Sequence, residues 1–206
     1  EDNRVRHMDY GVQINKTMYQ RLIKNQALTL FSPSDVPGLY EAFFADQAEF
    51  ERLYLQYEQD PSIRKRSLPA QELFSLMMQE RASTGRIYVQ NVDHCNTHSP
   101  FNPQVAPIRQ SNLCMEIALP TKPLDNINDD NGEIALCTLS GINLGAINSL
   151  ADIKEPAELI VRALDALLDY QDYPVAAAKN GSMKRRTLGI GVINYAYYLA
   201  KNGTKY

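Results

Sequence analysis

Apolar residues recur at two spacings along this chain, and the points where the spacing changes mark its elements. After a polar lead-in, Met18, Leu22 and Ile23 fall on one helical face between residues 16 and 24, and Ala27-Leu28-Thr29-Leu30-Phe31 reads as a short strand. Ser34-Asp35 predicts an N-cap ahead of Pro37, and Leu39, Phe43, Phe50, Leu53, Tyr54 and Tyr57 keep a helical rhythm as far as Gln59. Aromatic residues at that period read as core. Asp60-Pro61-Ser62 breaks the pattern, and Pro69 opens another helix through Leu73, Leu76 and Met77 that Gly85 ends. Ile87-Tyr88-Val89 predicts a buried strand, while Pro100, Pro103 and Pro107 mark residues 93–108 as loop.

In the second half, residues 121–132 are dense in Asp, Asn, Pro and Gly and predict a solvent-facing chain reversal. Pro156 starts an amphipathic helix through Leu159, Ile160, Ala163, Leu164, Leu167 and Leu168 that stops before Pro174. Residues 187–193 predict a strand and 194–201 a last helix, with a helix end at Gly203. Helices alternating with strands indicate the α/β class, with parallel strands covered by helices. No internal repeat or low-complexity segment interrupts this order.

The chemistry concentrates in Arg109-Gln110-Ser111-Asn112-Leu113-Cys114-Met115-Glu116-Ile117-Ala118-Leu119-Pro120. If this run is extended, its period of two throws Asn112, Cys114 and Glu116 onto one side and Leu113, Met115 and Ile117 onto the other. A thiol beside a general base suits redox or thiol-radical chemistry on a polar substrate. A second thiol, Cys137, follows the turn-rich stretch, and a reversal there would bring both sulfurs to one pocket. Alone, an N-x-C-x-E pattern says little, because Cys is often a small buried hydrophobe and a nearby Glu often faces solvent.

With 206 residues, 44% of them hydrophobic, and a formal charge of −3, the composition is that of a globular chain of single-domain size. No apolar run reaches the roughly 18 residues that cross a bilayer, and the charged start Glu1-Asp2-Asn3-Arg4 is no signal peptide, so a cytoplasmic protein without membrane contact is expected. The charge offers no nucleic-acid footprint, and the short clusters Arg64-Lys65-Arg66 and Lys184-Arg185-Arg186 read as solvated turns. Three cysteines do not make a secreted disulfide framework. The chain starts without Met in a polar stretch and stops at Lys205-Tyr206, which reads as a piece of a larger polypeptide. His94-Cys95-x-x-His98 lacks a fourth ligand and a usual zinc spacing, so no metal site is expected. Gly189-Ile190-Gly191 lacks the third glycine of a dinucleotide turn and reads as tight backbone packing.

Longer strings are more telling. The Arg109–Ile117 run, Ala135-Leu136-Cys137-Thr138-Leu139-Ser140 with Ile142-Asn143-Leu144-Gly145-Ala146-Ile147-Asn148, Arg185-Arg186-Thr187-Leu188-Gly189-Ile190-Gly191-Val192, and Glu80-Arg81-Ala82-Ser83-Thr84-Gly85-Arg86-Ile87-Tyr88-Val89-Gln90-Asn91 closely resemble the large catalytic (alpha) subunit of class I ribonucleoside-diphosphate reductases. The resemblance runs through essentially the whole chain. It implies that residues 1–206 are part of a ten-stranded α/β barrel of two half-sheets, with the thiol-bearing finger loop threaded into its centre. On the family pattern Cys114 becomes a transient thiyl, Glu116 acts as general base, Asn112 hydrogen-bonds the substrate, and the backbone of Asn112, Leu113, Cys114, Met115 and Glu116 touches a ribonucleoside diphosphate. Cys137 matches one of the two thiols that close to a disulfide, its partner lying N-terminal to Glu1. Met115 stands where a larger aliphatic residue is common.

The resemblance further implies a radical supplied by a di-metal, tyrosyl-radical small subunit, reduction by thioredoxin or glutaredoxin, ATP and deoxynucleotide effectors bound elsewhere, and a homodimeric full subunit whose excised piece is inactive. No cofactor is expected on this chain itself. Two other readings stay open: a thiol-disulfide oxidoreductase in which Cys114 and Cys137 pair directly, and a non-catalytic segment whose amphipathic helices pack subunits.

Overall fold

A computed structural model describes residues 5–206, and the chain packs as two compact units, Glu1–Pro120 and Thr121–Tyr206. In the first unit, strand β1 (Tyr10–Ile14) lies parallel to β4 (Ile87–Asn91), with Tyr10 opposite Ile87 and Gln13 opposite Gln90. Strand β2 (Ala27–Phe31) is antiparallel to β3 (Lys65–Pro69). Between them run helices α1 (Lys16–Ile23), α2 (Leu39–Ala45), α3 (Gln47–Gln59) and α4 (Ala70–Thr84), and α5 (Val92–Thr97) follows β4.

Local chemistry sets these boundaries. Asn15 Oδ1 accepts the Met18 N–H to start α1, and Asp46 Oδ1 accepts from Ala48 and Glu49 to start α3. Gly85 ends α4 with φ +67°, a conformation that costs a residue without a Cβ nothing. Ile14, Leu28, Ala70, Phe74 and Met77 form one apolar cluster, and Val36, Leu39, Ala42, Phe50, Leu53 and Tyr54 form another.

Four details of this unit correct the sequence reading. The polar lead-in contains β1, whose only buried residue is Ile14, so its apolar signal is too thin to see. The helical rhythm to Gln59 divides at Asp46, and Ser34-Asp35 belongs to a short 3-10 turn, α2 starting only after Gly38. Residues 92–97 are helical where a loop was expected. Lys65 belongs to no solvated turn: it opens β3, and its ammonium donates to the carbonyls of Tyr57, Glu58 and Asp60 at the end of α3.

In the second unit, β5 (Leu139–Asn143) and β6 (Gly189–Ile193) pair in parallel, joined by a crossover through α6 (Lys154–Tyr170) and α7 (Ala176–Arg185), and α8 (Tyr195–Lys201) closes the chain. Ile142, Leu144 and Ile147 are buried against Ile153, Ala157, Ile160 and Tyr198. The helix predicted from Pro156 is present, but Leu159 and Leu167 remain exposed while Leu168 is buried. Helix α7 has no large apolar stripe; it buries the small residues Ala177, Ala178, Gly181 and Ser182, which periodicity does not register.

The fold is therefore mixed α/β, with two parallel strand pairs and one antiparallel pair, and no barrel closes among the described residues. None of the described helices is long and apolar enough to cross a membrane.

Candidate active site

Residues 109–120 are not an extended strand, which corrects the reading of one polar and one apolar side. The chain turns at the thiol: the Met115 N–H donates to the Asn112 carbonyl (3.2 Å), the Asn112 N–H to the Ile117 carbonyl (3.2 Å), and the Ile117 N–H to Asn112 Oδ1 (3.0 Å). Met115 takes φ +66°, which breaks the alternation. Cys114 and Glu116 are exposed on this turn, Leu113 is 55% exposed, and Asn112 and Met115 are half-buried. The amide oxygen of Asn112 is thus turned onto its own loop. The polar groups share a loop tip through a tight turn, not through a period of two.

The turn is docked on β1. A Cβ on Gly11 would sit 2.8 Å from Met115 Cε, so the absence of a side chain there makes room for the methionine. Ser111 Oγ donates to the Asn112 carbonyl (2.7 Å) and lies 3.1 Å from Met115 Sδ. Beside it opens a polar cavity of about 360 Å³, lined by the carboxamides of Gln13, Gln90, Gln110 and Asn112 together with Gly11 and Met115. It carries no formal charge of its own and offers amide donors and acceptors to a polar, hydroxylated guest. Gln13 and Gln90 were not singled out by sequence, because β1 was not recognised. The period-two pairing of β1 with β4 is the signal that places both on one face.

Cys137 lies in the second unit, exposed, two residues ahead of β5. Its segment is held from both sides. Lys122 and Glu133 exchange backbone hydrogen bonds (3.0 and 3.1 Å), so residues 121–132 do reverse the chain. The Ile134 N–H donates to the Ala177 carbonyl (3.0 Å), and a Cβ on Gly181 would collide with Ile134 O. Glu133 is buried, its carboxylate paired with both Lys184 and Arg185. Burial opposes its ionisation, but the hydrogen bonds from Lys184 and Arg185 outweigh that and hold the carboxyl below the usual range. Arg186, at φ +47°, donates to Asp165 and Asp169. The cluster Lys184-Arg185-Arg186, expected as a solvated turn, is instead the paired end of α7.

His94, on α5, and His98, which caps it, stand one turn apart with rings edge-on at 5.3 Å, and Cys95 Sγ accepts from Gln90 Nε2 at 3.6 Å. Among the described residues no three His, Cys, Asp or Glu side chains gather to hold a metal ion. A Cβ on Gly189 would meet Leu139 Cδ2 at 2.5 Å, so that glycine serves the close approach of β6 to β5.

Across residues 1–206 the chain matches the family described as ribonucleotide reductase, barrel domain. The chain belongs to that family. This reductase barrel chain is 78% identical over 206 residues to the ribonucleoside-diphosphate reductase subunit alpha of Haemophilus influenzae, and 77% identical over 206 residues to the 1 subunit alpha of that reductase from Escherichia coli. Against the subunit alpha of Enterobacteria phage T4 it is 52% identical over 209 residues. Each comparison covers 100% of this chain and 27% of the relative, so the reductase barrel chain spans about a quarter of the length of the curated relatives it matches.

Proposed function

We propose that this chain is the thiol-bearing barrel portion of a ribonucleoside-diphosphate reductase catalytic subunit, which converts ribonucleoside diphosphates to 2′-deoxyribonucleoside diphosphates for DNA precursor synthesis. The observation that carries the reading is the exposed Cys114 at the tip of a turn pinned by Asn112, with Glu116 two residues on and with Asn112, Leu113 and Met115 of the same turn, though neither Cys114 nor Glu116, lining a polar cavity. Membership of the reductase family and the names of its relatives support it.

The difficulty of the reaction is that a secondary 2′-hydroxyl is a poor leaving group. A thiyl at Cys114 takes the 3′ hydrogen atom and becomes S–H, and the radical at the 3′ carbon makes loss of the neighbouring hydroxyl feasible. Glu116 accepts the 3′-hydroxyl proton, help worth about 10²–10⁴-fold in rate. The amide nitrogen of Asn112 donates to the sugar, and the backbone of Leu113, Cys114 and Met115 shapes the contact. The 2′-oxygen leaves as water. Two thiols, Cys137 and one from elsewhere in the full-length subunit, supply two electrons and two protons and close to a disulfide. Cys114 returns its hydrogen to the 3′ carbon and is regenerated as thiyl. The net change is ribonucleotide plus two thiols to deoxyribonucleotide, disulfide and water.

The initiating radical comes from a di-metal, tyrosyl-radical small subunit, and thioredoxin or glutaredoxin reopens the disulfide. ATP and deoxynucleotide effectors bind outside this chain, and the full subunit works as a cytoplasmic homodimer. The test is Cys114→Ser in the full-length subunit with its small subunit present. Deoxynucleotide formation falls to background while ribonucleoside diphosphate binding persists; retained turnover overturns the radical role.

A further inference from the structure

The turn that carries Cys114 has no regular secondary structure to hold it, yet its approach is held at two consecutive residues. Asn96, on α5 and only 6% exposed, points its carboxamide at the buried Ile108. Its Nδ2 donates to the Ile108 carbonyl and to the Val92 carbonyl (2.9 Å each), while its Oδ1 accepts the Ile108 N–H (2.9 Å). One side chain thereby satisfies both backbone groups of Ile108, as a neighbouring strand would. One residue on, Gln13 Nε2 donates to the Arg109 carbonyl (2.5 Å) and to Gln90 Oε1 (3.0 Å). Gln90 is 4% exposed and is fixed in turn by donating to Cys95 Sγ. The Arg109 guanidinium lies over the Phe44 ring at 5.5 Å, so side chain and backbone of that residue are anchored separately.

We infer that Asn96 and Gln13 are positioning residues for the thiol chemistry: their carboxamides clamp the backbone at Ile108 and Arg109 and so set where the Asn112–Glu116 turn presents its sulfur. The physical reason is rigidity. From Ile108 to Cys114 the chain crosses six planar peptide units whose flanking φ and ψ no strand ladder fixes, and hydrogen-atom transfer tolerates little error in distance. Buried amide bonds with every partner satisfied give a single low-energy backbone path, whereas a loop held only at its tip samples many. The Gln13 end also joins the clamp to the β1–β4 pair, against whose Gly11 the Met115 side chain rests, so base and tip of the loop are referenced to one strand.

The kinetic half of this inference rests on the reductase reading of Cys114; the structural half does not. The experiment compares wild type, Asn96→Ala, Gln13→Met and Cys114→Ser in the full-length subunit with its small subunit. It measures amide exchange of residues 110–119 and kcat and KM for cytidine diphosphate. For the clamp variants, exchange in 110–119 accelerates about ten-fold. The kcat of both falls about ten- to hundred-fold, with KM unchanged in Asn96→Ala, whose side chain does not line the cavity. Exchange in Leu139–Asn143 and Gly189–Ile193 stays at the wild-type rate. Unaltered exchange in 110–119, an unaltered kcat, a rise in KM alone, or acceleration spread through the second unit each overturns the inference. Gln13→Met, half-buried at the edge of the cavity, decides the matter if Asn96→Ala does not fold. If Cys114→Ser keeps turnover while 110–119 still responds to the clamp variants, the radical role of Cys114 fails and the clamp stands.

Discussion

Asn112 closes the turn around Cys114 by accepting the Ile117 N–H on its own side-chain oxygen, 3.0 Å away. On the proposed reaction one carboxamide has two duties, its oxygen structural and its nitrogen chemical, and substitutions separate them. Asn112→Asp keeps an acceptor for Ile117 and leaves its exchange rate near wild type, yet removes the amide donor and lowers turnover. Asn112→Ala loses both, costing about 1 kcal/mol locally and speeding Ile117 exchange about five-fold. Hydrogen exchange with parallel kinetics distinguishes the two variants.

Met115 holds φ +66° without a glycine's freedom. Being unbranched at Cβ, it tolerates this conformation at a cost of about 1–2 kcal/mol. Met115→Ile adds a branch where the backbone leaves no room for one, so the turn opens and turnover falls, while Met115→Leu stays close to wild type. Local exchange of residues 112–117 reports the difference.

Gly181 faces Ile134, whose carbonyl carbon would lie 2.9 Å from an added Cβ. In an exposed helix, glycine to alanine stabilises by roughly 0.5–1 kcal/mol. Here the sign reverses. Gly181→Ala must push the Cys137 segment off α7, at about 1–3 kcal/mol, lowering the thermal midpoint and raising exchange at Ile134.

Glu133 links the same segment to Lys184 and Arg185. Its folded-state pKa is depressed, so its contribution is fully present above the unfolded value of about 4.3 and is lost as pH falls through the folded one. Glu133→Gln is less stable than wild type at neutral pH by roughly 3 kcal/mol, the cost of leaving Arg185 without its charge partner. As pH falls below the unfolded value that gap narrows, because the unfolded wild-type chain takes up a proton that the folded carboxylate resists. Urea unfolding across pH 3 to 7 measures both arms; an equal gap at every pH contradicts this account.

Much of the architecture is readable from local chemistry. Strand β2, the bounds of α4 at Pro69 and Gly85, and the Pro156 helix follow from apolar period and from residues that start or stop a helix, which act within one turn of chain. The α/β class follows from their alternation, and the long strings around Cys114 and Cys137 pointed to the family without any coordinates. β1 and α7 escaped because their burial is of one isoleucine and of small residues, so they are defined by partners far along the chain.

The thiol site divides the same way. Its residue types are local information, which is why Asn112, Cys114, Glu116 and Cys137 were named from spacing and resemblance. How Asn112–Glu116 is shaped is not local: a period of two promised a strand, and the turn won because Asn112 Oδ1 satisfies Ile117 and Gly11 leaves room for Met115. Gln13 and Asn96 reach the loop base from 96 and 12 positions away in the chain, and Gln90 holds Gln13 across 77. Hydrogen bonds of that kind depend on which strands pair, and no window of neighbouring residues records them.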